Sequence, residues 1–198
     1  MNSEPPDDYR CVMYNWKELY ENCMQCSRCK LAETRNSIVF GEGNPHADIM
    51  FIGEGPGGDE DALGRPFVGK AGQLLEKAIN ALGWTRNDVY IGNIIKCRPP
   101  GNRTPLPEEV DACIGWVRNQ TALIKPEIIV CLGATAAKAV ISDDIRITAA
   151  RGRWVKKGNC FIMPTFHPAA LLRDESKKRP FWEDLNEVKR KCEELDNE

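Results

Sequence analysis

The cysteines are the residues whose types and spacing most directly suggest chemistry. Cys26 and Cys29 form a C-x-x-C pair, and Cys97 and Cys113 stand 16 positions apart further along the chain. Four thiolates fit either a structural zinc ion or a 4Fe–4S cluster, and the spacing does not choose between them. Cys23 extends the pair to C-x-x-C-x-x-C and offers a spare ligand. An isolated redox pair is disfavoured, because such a motif should follow a strand, and this one follows a helix-like run.

A glycine-rich loop, "GEGPGGDEDALGRPFVG", runs from Gly53 to Gly69 after an apolar segment. Its first six residues fit G-x-G-x-x-G, a weak sign of a dinucleotide site. Pro56 removes one backbone N–H from the loop, and three carboxylates follow at 59–61, where they would repel a pyrophosphate. The loop is therefore expected to bind something other than a polyphosphate, with glycines that permit close approach of the ligand.

Strands alternate with helices along the chain. The predicted strands are 48–53 and the segments "DVYIGNII", "PEIIVCLG" and "CFIMPTFHP". The predicted helices are "NWKELYENCMQCSRCKLAE" in its first part, "GKAGQLLEKAINALGW", "LPEEVDACIGWVRNQTALI", "ATAAKAVI" and "FWEDLNEVKRKCEEL". This order predicts a three-layer α/β/α fold with a central, mainly parallel, four-stranded sheet.

Polar residues follow three of these strands, and parallel strands end at one edge of a sheet. Glu54 follows the first strand, Asn93 and then Cys97 the second, and Thr165, Phe166 and His167 the fourth. Ligands of such folds bind at the carboxyl ends of the strands. These side chains and the glycine loop are therefore expected to form one site.

The composition bounds the class of protein. The chain has 198 residues, of which 42% are hydrophobic and 28% charged, and its net charge is −2, as in an ordinary globular domain. Residues 1–61 carry a net charge of −7 and residues 62–192 a net charge of +9, so a basic face is one reading and a normally solvated surface the other. Nine cysteines without a signal peptide or membrane span suggest a cytoplasmic metal protein.

Residues 1–13 are expected to be a loose tail and 14–198 a single domain. Cys131 and Cys160 lie in strand-like runs and are expected to be small buried hydrophobes.

Four longer segments resemble a known family. They are "CSRCKLAETR", "VFGEGNPHADIMFIGEGPGGDEDALGRPFVGKAGQLL", "YIGNIIKCRPPGNRTPLPEE" and "TFHPAALLR". In order and separation they are similar to the motifs of the family 4, or iron–sulfur, uracil-DNA glycosylases, from about Cys26 to Arg173. The resemblance implies a glycosylase-like α/β fold and a 4Fe–4S cluster on Cys26, Cys29, Cys97 and Cys113, with Cys23 as a bystander.

The resemblance also implies roles at the sheet edge. The loop carrying Glu54, Gly55 and Pro56 would face the flipped uracil and its deoxyribose. Phe67 would stack on the uracil ring, although without the family context ordinary core packing is the better reading. The Asn93 amide would read the Watson–Crick edge, and His167 would donate to uracil O2 as negative charge grows there.

The segment "HPAALLR" resembles the loop that enters the DNA minor groove. Leu171 or Leu172 would fill the gap left by the flipped nucleotide, and Arg173 would hold a phosphate. The competing reading is a helix start with a buried leucine pair. The implied partner is uracil-containing DNA, single- or double-stranded, bound by a monomer that does not enter membranes.

The sequence does not identify which carboxylate positions the attacking water. The better-known glycosylases of this superfamily carry an Asp one position after Glu54, where this chain has Gly55. Glu54, Glu60 and Asp61 are candidates, ranked in that order. Two alternative functions remain at this stage: a glycosylase for hypoxanthine or xanthine, and an iron–sulfur protein that binds DNA without turnover.

Overall fold

The computed structural model describes residues 14–197, so the predicted tail 1–13 lies outside the described residues. The strands are β1 (Glu42–Gly43), β2 (Ile49–Gly53), β3 (Tyr90–Asn93), β4 (Ile128–Leu132), β5 (Val155–Lys157) and β6 (Cys160–Thr165). The helices are α1 (Trp16–Met24), α2 (Gly58–Leu63), α3 (Lys70–Ala81), α4 (Pro107–Ile124), α5 (Ala134–Val140), α6 (Ile147–Ala150), α7 (Pro168–Arg173) and α8 (Lys178–Leu195).

All six strands form one sheet in the order β1-β3-β2-β4-β6-β5. The four predicted strands are its centre, β3-β2-β4-β6, and they pair in parallel. The edges β1 and β5 pair antiparallel and were not predicted, because strands of two and three residues carry no readable alternation of apolar and polar side chains.

Helices cover both faces of the sheet. Met50 and Ile52 of β2 point into one core, which α1, α4 and α5 complete. Ile49 and Phe51 point into the other, which α3, α7 and α8 complete. The strands of a doubly covered parallel sheet are apolar on both faces, and every residue of β2 and β4 is buried. The predicted three-layer α/β/α fold is confirmed.

Helix α4 spans the predicted segment, whereas α8 begins three residues before the predicted start at Phe181. Helix α4 has Pro107 in its first turn, and the Glu109 carboxylate accepts a hydrogen bond from the Leu106 backbone N–H at 2.8 Å. Helices α2 and α6 were not predicted, because four to six residues are too few to show helical periodicity. Within residues 14–197 every helix is too short or too polar to cross a bilayer.

Candidate active site

A cavity of about 550 Å³ lies at the carboxyl edge of the parallel strands. The expectation from strand ends holds, because the loops after β2, β3, β4 and β6 all contribute to its wall. The predicted residues that line it are Glu54, Gly55, Pro56, Glu60, Phe67, Asn93, His167 and Arg173. Thr165, also a strand-end residue, is fully buried instead and donates to the Asp184 carboxylate at 2.5 Å.

Asn93 ends β3 with its amide at the floor of the cavity. The residue is 2% exposed, and its Oδ1 accepts no hydrogen bond from residues 14–197. A Cβ on Gly53 would lie 2.5 Å from this oxygen and 2.5 Å from the Phe67 ring, so only glycine fits between them. A buried amide oxygen without a partner is costly unless a ligand supplies a donor.

Phe67 forms an aromatic wall of the cavity. Its ring is 5% exposed and stacks on the His167 ring at 5.7 Å between centroids, with 29° between the planes. Its backbone has φ of +51°, a left-handed conformation that is uncommon outside glycine. Conformations of this kind cluster at functional sites.

His167 caps the N-terminus of α7. The backbone N–H of Ala169 donates to its Nδ1 at 3.1 Å, so the ring proton lies on Nε2. Burial, together with the nearby positive charge of Arg173, lowers the pKa of His167 to about 4. The ring is therefore a neutral Nε2–H donor at neutral pH. A Cβ on Gly133 would lie 2.9 Å from the His167 Cβ, so the glycine after β4 makes room for it.

The three candidate carboxylates have different surroundings. Asp61 is 1% exposed and accepts from the Asn36 side chain and the backbone N–H groups of 36 and 37. Glu60 accepts from the backbone N–H groups of Gly57, Val68 and Gly69, so both of its oxygens are engaged.

Glu54 alone among the three combines a place on the cavity wall with an uncommitted oxygen. Its Oε2 accepts from the Thr135 hydroxyl at 2.5 Å, and no hydrogen bond from the described residues to Oε1 is recorded. Asp61 and Glu60 instead hold the loops that surround the site. The geometry therefore favours Glu54 among the three, and its role in positioning water stays a prediction.

The two leucines of α7 differ in exposure. Leu171 is 1% exposed and belongs to the core, whereas Leu172 is 48% exposed beside the cavity-lining Arg173. The prediction that Leu171 contacts DNA is corrected, because on a short helix consecutive side chains point in different directions. The sequence reading of a helix start with a buried leucine is right for Leu171, and Leu172 is the exposed member.

Thr135 lines the cavity and was missed by the sequence reading, and Phe166 and Lys177 line it too. Thr135 lies in the first turn of α5, directly after β4. The prediction from strand ends considered polar residues only after the other three predicted strands. The Phe166 ring has Arg151 and Lys177 cations 5.8 and 5.7 Å from its centroid. Phe166 was among the residues expected at the end of the fourth predicted strand.

Cys26, Cys29, Cys97 and Cys113 line a second, smaller cavity on the α1/α4 side of the sheet. Arg35 donates to the Cys97 sulfur at 3.4 Å, and the Lys96 backbone N–H to the Cys113 sulfur at 3.2 Å. Burial raises the pKa of the Cys113 thiol to about 12.

Other features of this cavity bear on what it can hold. Trp116 lines it, is 2% exposed, and its Nε1 has no partner among the described residues. Cys23 is fully buried and does not line the cavity. Among residues 14–197 no three His, Cys, Asp or Glu side chains are arranged to hold a single metal ion. The cysteines thus surround a shared space, with N–H donors available to sulfur.

Comparisons with known proteins identify relatives of the chain. The sequence model of the uracil DNA glycosylase superfamily matches residues 40–188. A type-4 uracil-DNA glycosylase of Thermotoga maritima is 44% identical over 187 residues, which cover 89% of this chain and 96% of the relative. Proteins of the same name from Pyrobaculum aerophilum and Archaeoglobus fulgidus are 41% and 38% identical, covering 85% and 91% of this chain and 90% and 94% of those relatives.

Proposed function

The chain belongs to the type-4 uracil-DNA glycosylases of the uracil DNA glycosylase superfamily, and on that premise we propose that it excises uracil from DNA. The reaction hydrolyses the N-glycosidic bond and leaves an abasic site. One observation carries the proposal: an aromatic face, a buried unpartnered amide and a neutral Nε2–H donor share one cavity, on Phe67, Asn93 and His167.

Recognition requires the nucleotide to leave the DNA stack. A flipped uracil has a flat π-face, which Phe67 can stack on, and a Watson–Crick edge with both an acceptor and an N–H donor. Asn93 offers the matching acceptor and donor from one amide. Its orphaned Oδ1 gains a partner when uracil N3–H is placed against it. Cytosine presents an acceptor at N3 and leaves that oxygen unsatisfied.

Bond cleavage moves negative charge onto the base. The Nε2–H of His167 would donate to uracil O2, where this charge grows, and such donors act mainly in the transition state. A neutral imidazole suits this role, because it is already a donor and its proton lies on the required nitrogen. The charge on the leaving base is then stabilised without protonation by a strong acid.

The sugar develops positive charge in the same step. Glu54 would provide the nearby anion and orient the water that attacks the anomeric carbon. Thr135 donates to one carboxylate oxygen at 2.5 Å, which fixes the rotamer and leaves the other oxygen for water. Bonds of this kind to an ionised carboxylate are strong and directional.

The proposed partner is uracil-containing DNA. Leu172 would enter the space vacated by the flipped nucleotide, and Arg173 and Lys177 would hold flanking phosphates. Residues 14–198 would act as one domain and one monomer, in the cytoplasm.

We further propose a 4Fe–4S cluster on Cys26, Cys29, Cys97 and Cys113. Four cysteines around a shared space, with N–H groups aimed at two sulfurs, fit an iron–sulfur cluster. Arg28, Arg35 and Lys96 would offset the negative charge of four thiolates. When bound, the cluster supplies thiolate–iron bonds that join the segment after α1 to α4 and the segment after β3. This fixes the chain four residues beyond Asn93.

Removing the proposed donor tests the function. His167→Ala should lower the single-turnover rate of uracil excision by about 10²–10³-fold, the usual loss for one such donor. Glu54→Gln should lower it strongly too, with DNA affinity nearly unchanged in both variants. His46→Ala is the matched control, because His46 is exposed and lies in the loop before β2. Equal rates for the two histidine variants would refute the assignment.

A further inference from the structure

The backbone that presents Phe67 is held from outside its own loop. A left-handed φ of +51° is unfavourable for an aromatic residue, so it persists only where the surroundings enforce it. Close packing contributes to this constraint, because Gly72 of α3 lies so near the Phe67 carbonyl that a Cβ on Gly72 would be 2.0 Å from it. The helix and the loop are thus in direct backbone contact at this point.

Two charged side chains bind four backbone polar groups around Phe67, two carbonyls and two N–H groups. Arg86 donates from Nη2 to the Pro66 carbonyl at 2.5 Å and from Nη1 to the Phe67 carbonyl at 2.9 Å. Glu60 accepts from the N–H groups of Val68 and Gly69, both at 2.9 Å. Acceptors and donors of the strained turn are therefore satisfied by one cation and one anion.

Arg86 is itself fixed. It lies between α3 and β3, 13% exposed, and its Nε donates to Glu42 at 3.0 Å. Glu42 is also bound by Arg65, at 2.6 and 2.8 Å, and these bonds lower the pKa of its carboxyl. Arg65 is 59% exposed and has no recorded bond to the Phe67 turn. A planar guanidinium with three engaged nitrogens leaves little rotational freedom.

We propose that Arg86 is a positioning residue for base recognition: it holds the Pro66–Phe67 carbonyls so that the Phe67 ring stays parallel to the bound base. This rests on the proposed function, because it assumes that Phe67 stacks on uracil. Without Arg86 the turn can relax toward ordinary φ values, which rotates the ring out of the plane the base requires. The predicted loss is in base affinity, transmitted through Phe67.

A double-mutant cycle separates this role from general stabilisation. Free uracil is used as a competitive inhibitor of excision, and its inhibition constant is measured for the wild type, Phe67→Ala, Arg86→Gln and the double variant. We expect each single variant to weaken inhibition by about tenfold, within the range of one base–aromatic stack. The double variant should be no weaker than Phe67→Ala, because Arg86 has no ring left to position. Arg65→Gln, which removes the other Glu42 partner, should stay within about twofold of wild type.

The outcomes distinguish failure of the Phe67 stacking role from failure of the Arg86 positioning role. If Phe67→Ala leaves uracil inhibition unchanged, the stacking role itself is wrong. If Phe67→Ala weakens inhibition and Arg86→Gln does not, or if the two losses multiply in the double variant, the positioning role of Arg86 is wrong while stacking stands. If Arg86→Gln does not fold, Arg86→Lys decides, because one amine can bond only part of the turn; inhibition equal to wild type would then overturn the proposal.

Discussion

The proposed base recognition depends on one buried amide, that of Asn93. The Asn93 Oδ1 has no partner among the described residues, and only 2% of the residue is exposed to water. A base that offers no donor would leave this oxygen unsatisfied, and we expect such a base to bind more weakly. Asn93→Asp replaces the amide donor with an acceptor that repels uracil O4, so excision should fall by about two orders of magnitude or more. Steady-state assays on a uracil oligonucleotide measure this.

A matched asparagine controls for the change in charge. Asn44 accepts from the His46 backbone N–H through its Oδ1, a bond that an aspartate keeps. Asn44→Asp should therefore leave excision within about twofold of wild type, as expected for a surface change. Near-normal excision by Asn93→Asp would show that Asn93 does not read the base.

His167 makes stability depend on pH. Its pKa is about 4 in the folded protein and 6.5 when unperturbed, so the unfolded chain binds the extra proton between these values. The stability contributed by the neutral ring is present above about pH 6.5 and is lost as the pH falls toward 4, by up to about 3 kcal/mol. His167→Gln does not titrate there, so its urea unfolding free energy should fall less over that range. Parallel curves for the two proteins would contradict a buried neutral imidazole.

The sequence predicted the site residues that directly follow strands. It did not predict the side chains that contact those residues from distant parts of the chain. Glu54, Asn93 and His167 were predicted because strand ends meet at one edge. The hydroxyl of Thr135 meets Glu54 from 81 positions away, and Arg86 meets the Phe67 carbonyl from 19 away. Contacts of this kind depend on side-chain direction after packing, which residue type and spacing do not encode.

Helix α7 divides its leucines between core and surface. Leu172→Ala should lower excision from double-stranded DNA several-fold and barely change the melting temperature, since the side chain is 48% exposed. Leu171→Ala is the matched change, and at 1% exposure it should cost about 2–5 kcal/mol of unfolding free energy. Thermal unfolding and excision, measured on both variants, test this. A stability loss confined to Leu172→Ala would contradict the orientation of the helix.

The cysteine cavity joins α4 to two loops, so we expect the four proposed ligands to affect both metal content and folding. Cys26→Ala and Cys113→Ala should lower iron content and soluble yield, and Cys23→Ala, outside the cavity, should keep iron near the wild-type level. Iron and zinc are measured on freshly purified protein, with absorbance near 400 nm as the cluster signature. Stoichiometric zinc without iron, or iron loss in Cys23→Ala alone, would contradict the proposed ligand set.

The two edge strands, β1 and β5, could not be predicted from the sequence. The central strands are uniformly apolar, as the sequence shows, but β1 is "EG" and β5 is "VKK". Such short polar segments become strands only because a completed sheet offers them an edge to pair with. The chain order of strands and helices was enough to predict three layers, whereas the number of strands depends on tertiary pairing.

The molecule places two proposed centres on one continuous segment. Asn93 faces the large cavity and Cys97 lines the cysteine cavity, with the fully buried Lys96 bound to the Asn93 carbonyl at 3.0 Å. The strand end proposed to read the base is thus joined directly to the segment that carries Cys97, a proposed cluster ligand. We expect loss of metal to loosen Asn93 and to reduce uracil excision along with stability.

The identity of the released base tests the whole account most directly. The wild-type protein is incubated with oligonucleotides that carry one uracil, hypoxanthine or xanthine, single- and double-stranded, and free bases are measured by mass spectrometry. We predict release of uracil, with one alkali-labile site for each uracil released, and release of the other bases at least about 100-fold more slowly, the scale set by mismatched hydrogen bonds in a buried site. Release of hypoxanthine or xanthine in place of uracil, or a stable protein–DNA complex in which the uracil stays attached, would contradict it.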